Sequence, residues 1–161
     1  MKNILKLACL VALVSLVACN KRTMIDTKTS IFQVGQIWSY ETRANEPNSR
    51  LIINKVELVD RLTVIVHVRI EGLKFKNDKL PNKQQDAFPS LPFGESALKL
   101  SAIKIVGQQN PRADFQSEYQ VWRTDYESGQ AGFWDGSIAQ TLDLLEATYN
   151  TGGGDRKVIG K

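Results

Sequence analysis

The chain has 161 residues, with 21 Lys and Arg against 17 Asp and Glu and a formal net charge of +4. That length supports one domain with a core of its own. A single histidine, His67, excludes any metal site built from two or more His ligands of one chain.

The first 18 residues read as a leader. Lys2 and Lys6 precede an apolar run of 12 residues, Leu7 to Ala18. A basic start, a short apolar core and small residues before a cut form the layout of a secretory signal. Crossing a bilayer core takes about 20 apolar residues, so the run is short for a retained helix. An ordinary signal cut wants small residues one and three places before it; Ala18 fits but Leu16 is large. Leu16-Val17-Ala18-Cys19 resembles the lipobox of bacterial lipoproteins. The resemblance implies a diacylglycerol on the Cys19 sulfur, cleavage before that residue and acylation of the new amine. It also implies an outer-membrane anchor facing the periplasm, because Asn20 stands where an Asp would favour inner-membrane retention. Several acyl chains on one residue hold a protein on a membrane far more firmly than one. The membrane, through lipid on Cys19, is thus the first partner expected.

Cleavage there leaves 143 of the 161 residues, and losing Lys2 and Lys6 leaves 19 basic residues against 17 acids, a net of +2. Nucleic acid is not an expected partner, since that would call for a strong basic patch. Cys9 departs with the leader and Cys19 carries lipid. No thiol remains for a disulfide or a Cys metal site, and no metal or cofactor is expected.

Residues 19–30 are polar and read as a tether, whose Lys21 and Arg22 lie beside the lipid. A single globular domain follows over 31–150. Gly35 to Thr42 predicts a strand with Trp38, Tyr40 and Thr42 on one face. After a polar turn, Leu51 to Val59 predicts a second strand, with Ile52, Val56 and Leu58 sharing a face interrupted by Asn54. Leu62 to Gly72 has the clearest period of two: Leu62, Val64, Val66, Val68 and Ile70 on one face, Thr63, Ile65, His67, Arg69 and Glu71 on the other. The short Asp60-Arg61 link argues a hairpin. Residues 74–92, polar and proline-bearing, predict a long loop, with 88–93 re-entering the core as an extended piece. Three helices are predicted next. The first spans Glu95 to Val106, with Leu98, Ala102 and Ile105 inward and Gly107 ending it. The second spans Asp114 to Ser128, capped by Asp114, with Phe115, Tyr119, Trp122 and Tyr126 in one stripe. The third starts at Ser137 with Gln140 three on, a capping box, and turns Ile138, Leu142, Leu145 and Tyr149 inward. Residues 151–161 read as a flexible tail. The whole predicts an α+β fold: an N-terminal three-stranded antiparallel meander followed by about three α-helices packed on one face.

No catalytic constellation stands out, and Cys19 is the one site residue the sequence assigns. His67 lies on the mixed face of its strand and reads as a partly buried or surface histidine. A catalytic role would need a distant acid such as Glu41 or Glu71 beside it. Gly-x-Ser-x-Gly is absent. Asp125, Glu127 and Asp135 match no calcium loop, and the glycines 152–154 lack the lysine of a phosphate loop. The aromatic stripe reads as core rather than a sugar or peptide platform. Trp134 is the better candidate for an exposed aromatic, although a lid over the helices suits it more.

Gly35 to Arg43, followed by Asn48-Ser-Arg-Leu51, resembles the opening of an uncharacterised small bacterial domain family, and Leu91-Pro-Phe93 with the helix after it resembles that family's later part. The resemblance spans roughly residues 33–149 and implies no catalytic residue. The expected function is that of an envelope lipoprotein working as a non-enzymatic binding module with a possible protein partner, through the 74–92 loop or the helical face. An immunity-type inhibitor of a periplasmic toxin is one version. The alternatives are a cell-wall or lipid hydrolase, or a small-molecule binder with a pocket between sheet and helices.

Overall fold

The computed structural model of the protein describes residues 22–151. Among these residues six strands and three helices follow in chain order: β1 (Met24–Asp26), β2 (Gln36–Tyr40), β3 (Arg50–Val59), β4 (Thr63–Lys76), β5 (Gln84–Gly94), α1 (Glu95–Ser101), β6 (Ala102–Gln108), α2 (Asp114–Glu127) and α3 (Ile138–Asn150). The strands form one antiparallel sheet in the order β5-β4-β3-β2-β6. β1 shares an edge of β3 with β2: it pairs with Glu57 to Val59, while β2 pairs with Leu51 and Ile52.

This overturns the expected fold, a three-stranded meander with about three helices on one face. The sheet has six strands, and helices cover both its faces. Leu51, Ile53, Val66 and Val68 pack with Leu98 of α1 and Leu142 of α3 in the main core. Alternate residues of β4 point the other way, where the His67 ring meets Phe115, Tyr119 and Trp122 of α2. A strand buried on both faces need not alternate polar with apolar.

Two shifts of phase hid strand residues from a period-two reading. The β3–β4 register slips between Ile53 and Lys55, at Asn54. An extra residue in one strand of a pair flips the residues beyond it to the opposite face. Leu51, Ile53 and Val56 therefore share the main core, whereas Glu57 turns toward α2 and meets Tyr119. The expected shared face of Ile52, Val56 and Leu58 is corrected accordingly: Val56 joins the main core, and Ile52 and Leu58 do not. In β4 the shift falls at Gly72, whose φ of +76° suits glycine. A Cβ there would lie 3.2 Å from the Asn48 carbonyl oxygen. Beyond it Leu73 and Phe75 rejoin the core that holds Ile70.

The expected loop over 74–92 is consequently strand and turn. Lys74 and Lys76 point outward between buried Leu73, Phe75 and Asn77. The chain turns through 77–83 and returns as β5, where Phe88 packs edge-on against Phe75 at 4.9 Å. Pro89 and Pro92 are tolerated because β5 is an edge strand, where a missing N–H breaks no inner ladder.

The first predicted helix is also shorter than expected. α1 stops at Ser101, and Ala102 has φ −68° and ψ 131°. Ile103, Ile105 and Val106 are β-branched and enter strand β6 beside β2. Trp38 pairs with Ile105, and Ile37 with Gly107, so Gly107 sits within a ladder rather than ending a helix. α2 and α3 begin and end close to expectation, and α3 carries the capping box of Ser137 with Gln140. Asp114 is not a cap. The N-cap of α2 is Ala113, and the Asp114 carboxylate accepts from Arg69 Nη1 at 2.8 Å.

Met24–Asp26 lies inside the stretch read as a tether, and there the chain already belongs to the sheet. Thr23 N donates to Asp60 Oδ1 at 3.0 Å, and Asp60 N donates back to the Thr23 carbonyl at 2.9 Å. No helix among the described residues is long and apolar enough to cross a membrane.

Candidate functional site

The polar residues that the fold gathers lie between β3, β4 and α2. Glu57 of β3 is 1% exposed and His67 of β4 is 0% exposed. They are not directly opposed, since His67 faces Lys55 and Glu57 faces Ile65; their side chains meet diagonally. His67 Nε2 lies 3.1 Å from Glu57 Oε2. Tyr119, arriving from α2, donates its hydroxyl to Glu57 Oε1 at 2.7 Å and accepts from Arg123 Nη1 at 3.2 Å. Lys55 Nζ approaches Glu57 Oε1 at 3.8 Å and sits 5.3 Å from the Tyr119 ring centroid.

Burial sets the charge states. It pushes the His67 pKa down, and the bond to Glu57 offsets this only in part. Imidazole at neutral pH is then uncharged, with the Nε2 proton donated to Glu57. Its Nδ1 has no hydrogen-bond partner among the described residues. Burial alone would raise Glu57, but donors from His67 and Tyr119 outweigh it and hold the carboxylate below its usual range. Tyr119 is raised, by burial first and by its bond to Glu57 second. Near neutral pH the group is one carboxylate with two neutral donors.

A general base must reach the proton that it takes. The His67 ring lies edge-on to Trp122 at 4.5 Å and to Tyr119 at 5.0 Å, and no surface of it meets solvent. Both Glu57 oxygens are engaged. Such an arrangement specifies packing between α2 and the sheet; it offers no face to a substrate.

Outside this seal lies an open cleft of about 760 Å³, between the β1–β3 edge and the start of α2. Val56, Phe115 and Tyr119 give it apolar and aromatic lining, and exposed Lys28 and Arg112 give its wall positive charge. Asn54 also lines it. Its Nδ2 donates to the Pro89 carbonyl at 2.9 Å, and its Oδ1 has no partner among the described residues. Tyr119 thus belongs to both the cleft and the buried cluster.

The remaining sequence candidates disperse. Cys19 and the glycines 152–154 lie outside the described residues. His67 is fully buried, against the expectation of a partly buried or surface residue, and its acid is Glu57 rather than Glu41 or Glu71. Glu71 instead pairs with Arg69 at 3.3 Å. Glu127 accepts from Arg123 at 3.1 Å, and no group of three potential metal ligands exists among the described residues. Phe115, Tyr119 and Tyr126 are buried and Trp122 is half-buried, as a core stripe requires. Trp134 is half-buried against the main core and its backbone bridges β5, with its N–H on the Pro92 carbonyl at 2.8 Å.

The sequence reading missed Glu57, because period two without a bulge hides which face it takes. The signal was one acid within the apolar run Leu51 to Val59, a hairpin away from the only histidine. Compared with family models, with curated proteins and with solved structures, the chain matches none.

Proposed function

We propose that this protein is a lipid-anchored protein of the bacterial envelope, held by acylated Cys19 at the periplasmic face of the outer membrane, and that it acts as a non-enzymatic binding module. The observation that carries the non-enzymatic part is the closure of the His67–Glu57–Tyr119 cluster. It contains the only histidine of the chain, both oxygens of its carboxylate are engaged, and α2 seals it from solvent. A hydrolase working through His67 would need that pair open to substrate. The cleft beside it is the better seat for a ligand, because an apolar floor with a few placed polar groups is the usual make-up of a binding pocket. Lys28 and Arg112 on its wall favour a ligand that presents an acidic group above an apolar body.

The test is a photoactivatable side chain at Gln116, exposed beside the cleft, and another at Leu144 on α3, in living cells. A discrete adduct is expected at position 116 and not at 144, and it should vanish in the double variant Lys28→Glu/Arg112→Glu. An adduct indifferent to that charge reversal removes the cleft from the proposal. Hydrolysis of wall material or of a lipid ester by the purified protein, lost in His67→Gln at unchanged stability, overturns the non-enzymatic reading.

The immunity-type version, with a protein partner, draws on β6. Among the described residues this strand pairs on one side only, with β2. Ile103, Ile105 and Val106 on it are 60%, 49% and 41% exposed. An exposed apolar edge strand is a surface that folded monomers usually protect and that partner chains use.

A further inference from the structure

The position of Thr23 fixes how an anchored molecule meets its membrane. Resting on the reading of Cys19 as the acylated residue, the lipid leaves the chain four residues before Thr23. Four residues of extended chain span at most about 14 Å. Thr23 is stapled by two hydrogen bonds to Asp60, at the tip of the β3–β4 hairpin. That tip therefore cannot leave the neighbourhood of the bilayer surface, whatever path the intervening chain takes.

The tip is built to meet lipid. Asp60 and Arg61 both take positive φ, 49° and 61°. The tight turn they form presents Leu62 at 89% exposure, the highest among the exposed large apolar residues. Arg61 is exposed beside it, and Arg22 stands over the Tyr126 ring at 4.5 Å. An exposed apolar side chain next to an arginine suits the boundary of acyl chains and phosphates, where a guanidinium fork binds phosphate oxygens. Nothing in the described fold rewards an exposed leucine at that place. Leu62 N donates to the Val59 carbonyl at 3.0 Å, which holds the turn but does not require the side chain.

We infer that the β3–β4 hairpin tip is a membrane-contact element, with Leu62 inserted at the lipid headgroup boundary beside the acylated cysteine, and that the sheet stands with this end down. β4 has 14 residues, so its far end lies about 40 Å away along the strand. The turn 77–83 and the end of α3 are then the periplasm-facing pole. Asn150 binds the Lys76 carbonyl there at 3.0 Å.

The experiment uses the full chain, processed in cells and reconstituted into vesicles of phosphatidylethanolamine and phosphatidylglycerol. The same environment-sensitive fluorophore is attached at Leu62→Cys or at Asn82→Cys, and acylation of Cys19 is read on each preparation by mass. With Cys19 acylated, the probe at 62 should emit to the blue and be quenched several-fold more by lipid-borne quenchers than the probe at 82. A probe at 62 in water, or a probe at 82 in lipid, on an acylated protein overturns the orientation and leaves the anchor standing. A Cys19 without lipid overturns the anchor itself, and the orientation with it.

Discussion

Glu57 and His67 sit on neighbouring strands, two residues off register, with Oε2 and Nε2 3.1 Å apart and both residues closed to solvent. The pair is the polar centre of the contact between sheet and α2, and Tyr119 completes it.

Removing the acceptor should therefore be costly. Glu57→Ala strands the His67 N–H and the Tyr119 hydroxyl in a dry layer, and each buried donor left without a partner costs about 1–3 kcal/mol. A loss near 3 kcal/mol is expected in urea titration of the chain expressed from residue 20. Glu57→Gln keeps an oxygen for one donor and should lose less. A loss under about 1 kcal/mol for the alanine variant would show that water reaches the cluster.

The same pair gives stability a pH dependence. The folded pKa of His67 lies below its unfolded value near 6.5. As pH falls through that value the unfolded chain gains a proton that the folded chain refuses, so stability is full above it and declines below it. Glu57 is also depressed, so its contribution is lost at still lower pH, below the usual carboxylate value. Both slopes have the same sign. His67→Gln can still donate an N–H to Glu57 and should flatten the first slope while leaving the acid limb. Denaturant midpoints measured from pH 7 downward check this, and a wild-type midpoint that rises between pH 7 and 6 contradicts it.

Trp122 is half-buried, stacked on Tyr126 at 4.8 Å, edge-on to His67 and bonded from Nε1 to the Gly132 carbonyl at 2.7 Å. Trp→Ala changes in cores cost about 3–5 kcal/mol, and partial exposure puts this one at the low end, about 3 kcal/mol. It should also admit water to the imidazole and bring its pKa up toward 6.5. The chain has one histidine, so a single imidazole resonance reports the titration without assignment. An unmoved midpoint would mean that Phe115 and Tyr119 alone seal the ring.

How far the sequence speaks differs from element to element. α3 was legible because Ser137 and Gln140 mark its start and its apolar positions keep the helical period. The β3–β4 hairpin was legible because Val64, Val66, Val68 and Ile70 alternate cleanly. β6 was not, since Ala102 to Gln108 carries apolar residues at spacings that also suit a helix and its strand state depends on β2 alongside. The bulge at Asn54 and the left-handed Gly72 each move later residues to the other face, and no local signal announces them. That is why Glu57, the residue that defines the buried cluster, escaped notice while its partner His67 did not.

Lipidation admits a direct check. Cys19→Ser removes the thiol that would accept the diacylglycerol, so a labelled fatty acid should mark the wild-type chain and not the variant, which should persist as a precursor. Equal labelling of the two sinks the anchor.

The apolar edge of β6 gives the last expectation. Ile103 and Ile105 are more than two-fifths exposed, and Ile105 stands opposite Trp38 of β2, the one strand that β6 pairs with among the described residues. If that surface is free in the isolated domain, placing lysine at both positions should be nearly neutral, within about 0.5 kcal/mol per site as for ordinary surface changes. The same double variant should weaken any partner that adds to the edge, because a charged side chain on an edge strand opposes pairing. Denaturant titration and a size measurement at increasing protein concentration separate the cases. A loss well beyond 1 kcal/mol together with a shift to smaller size means that a second copy of the chain already covers β6. An unchanged stability and size leaves the edge open for a different protein, as an immunity-type function requires.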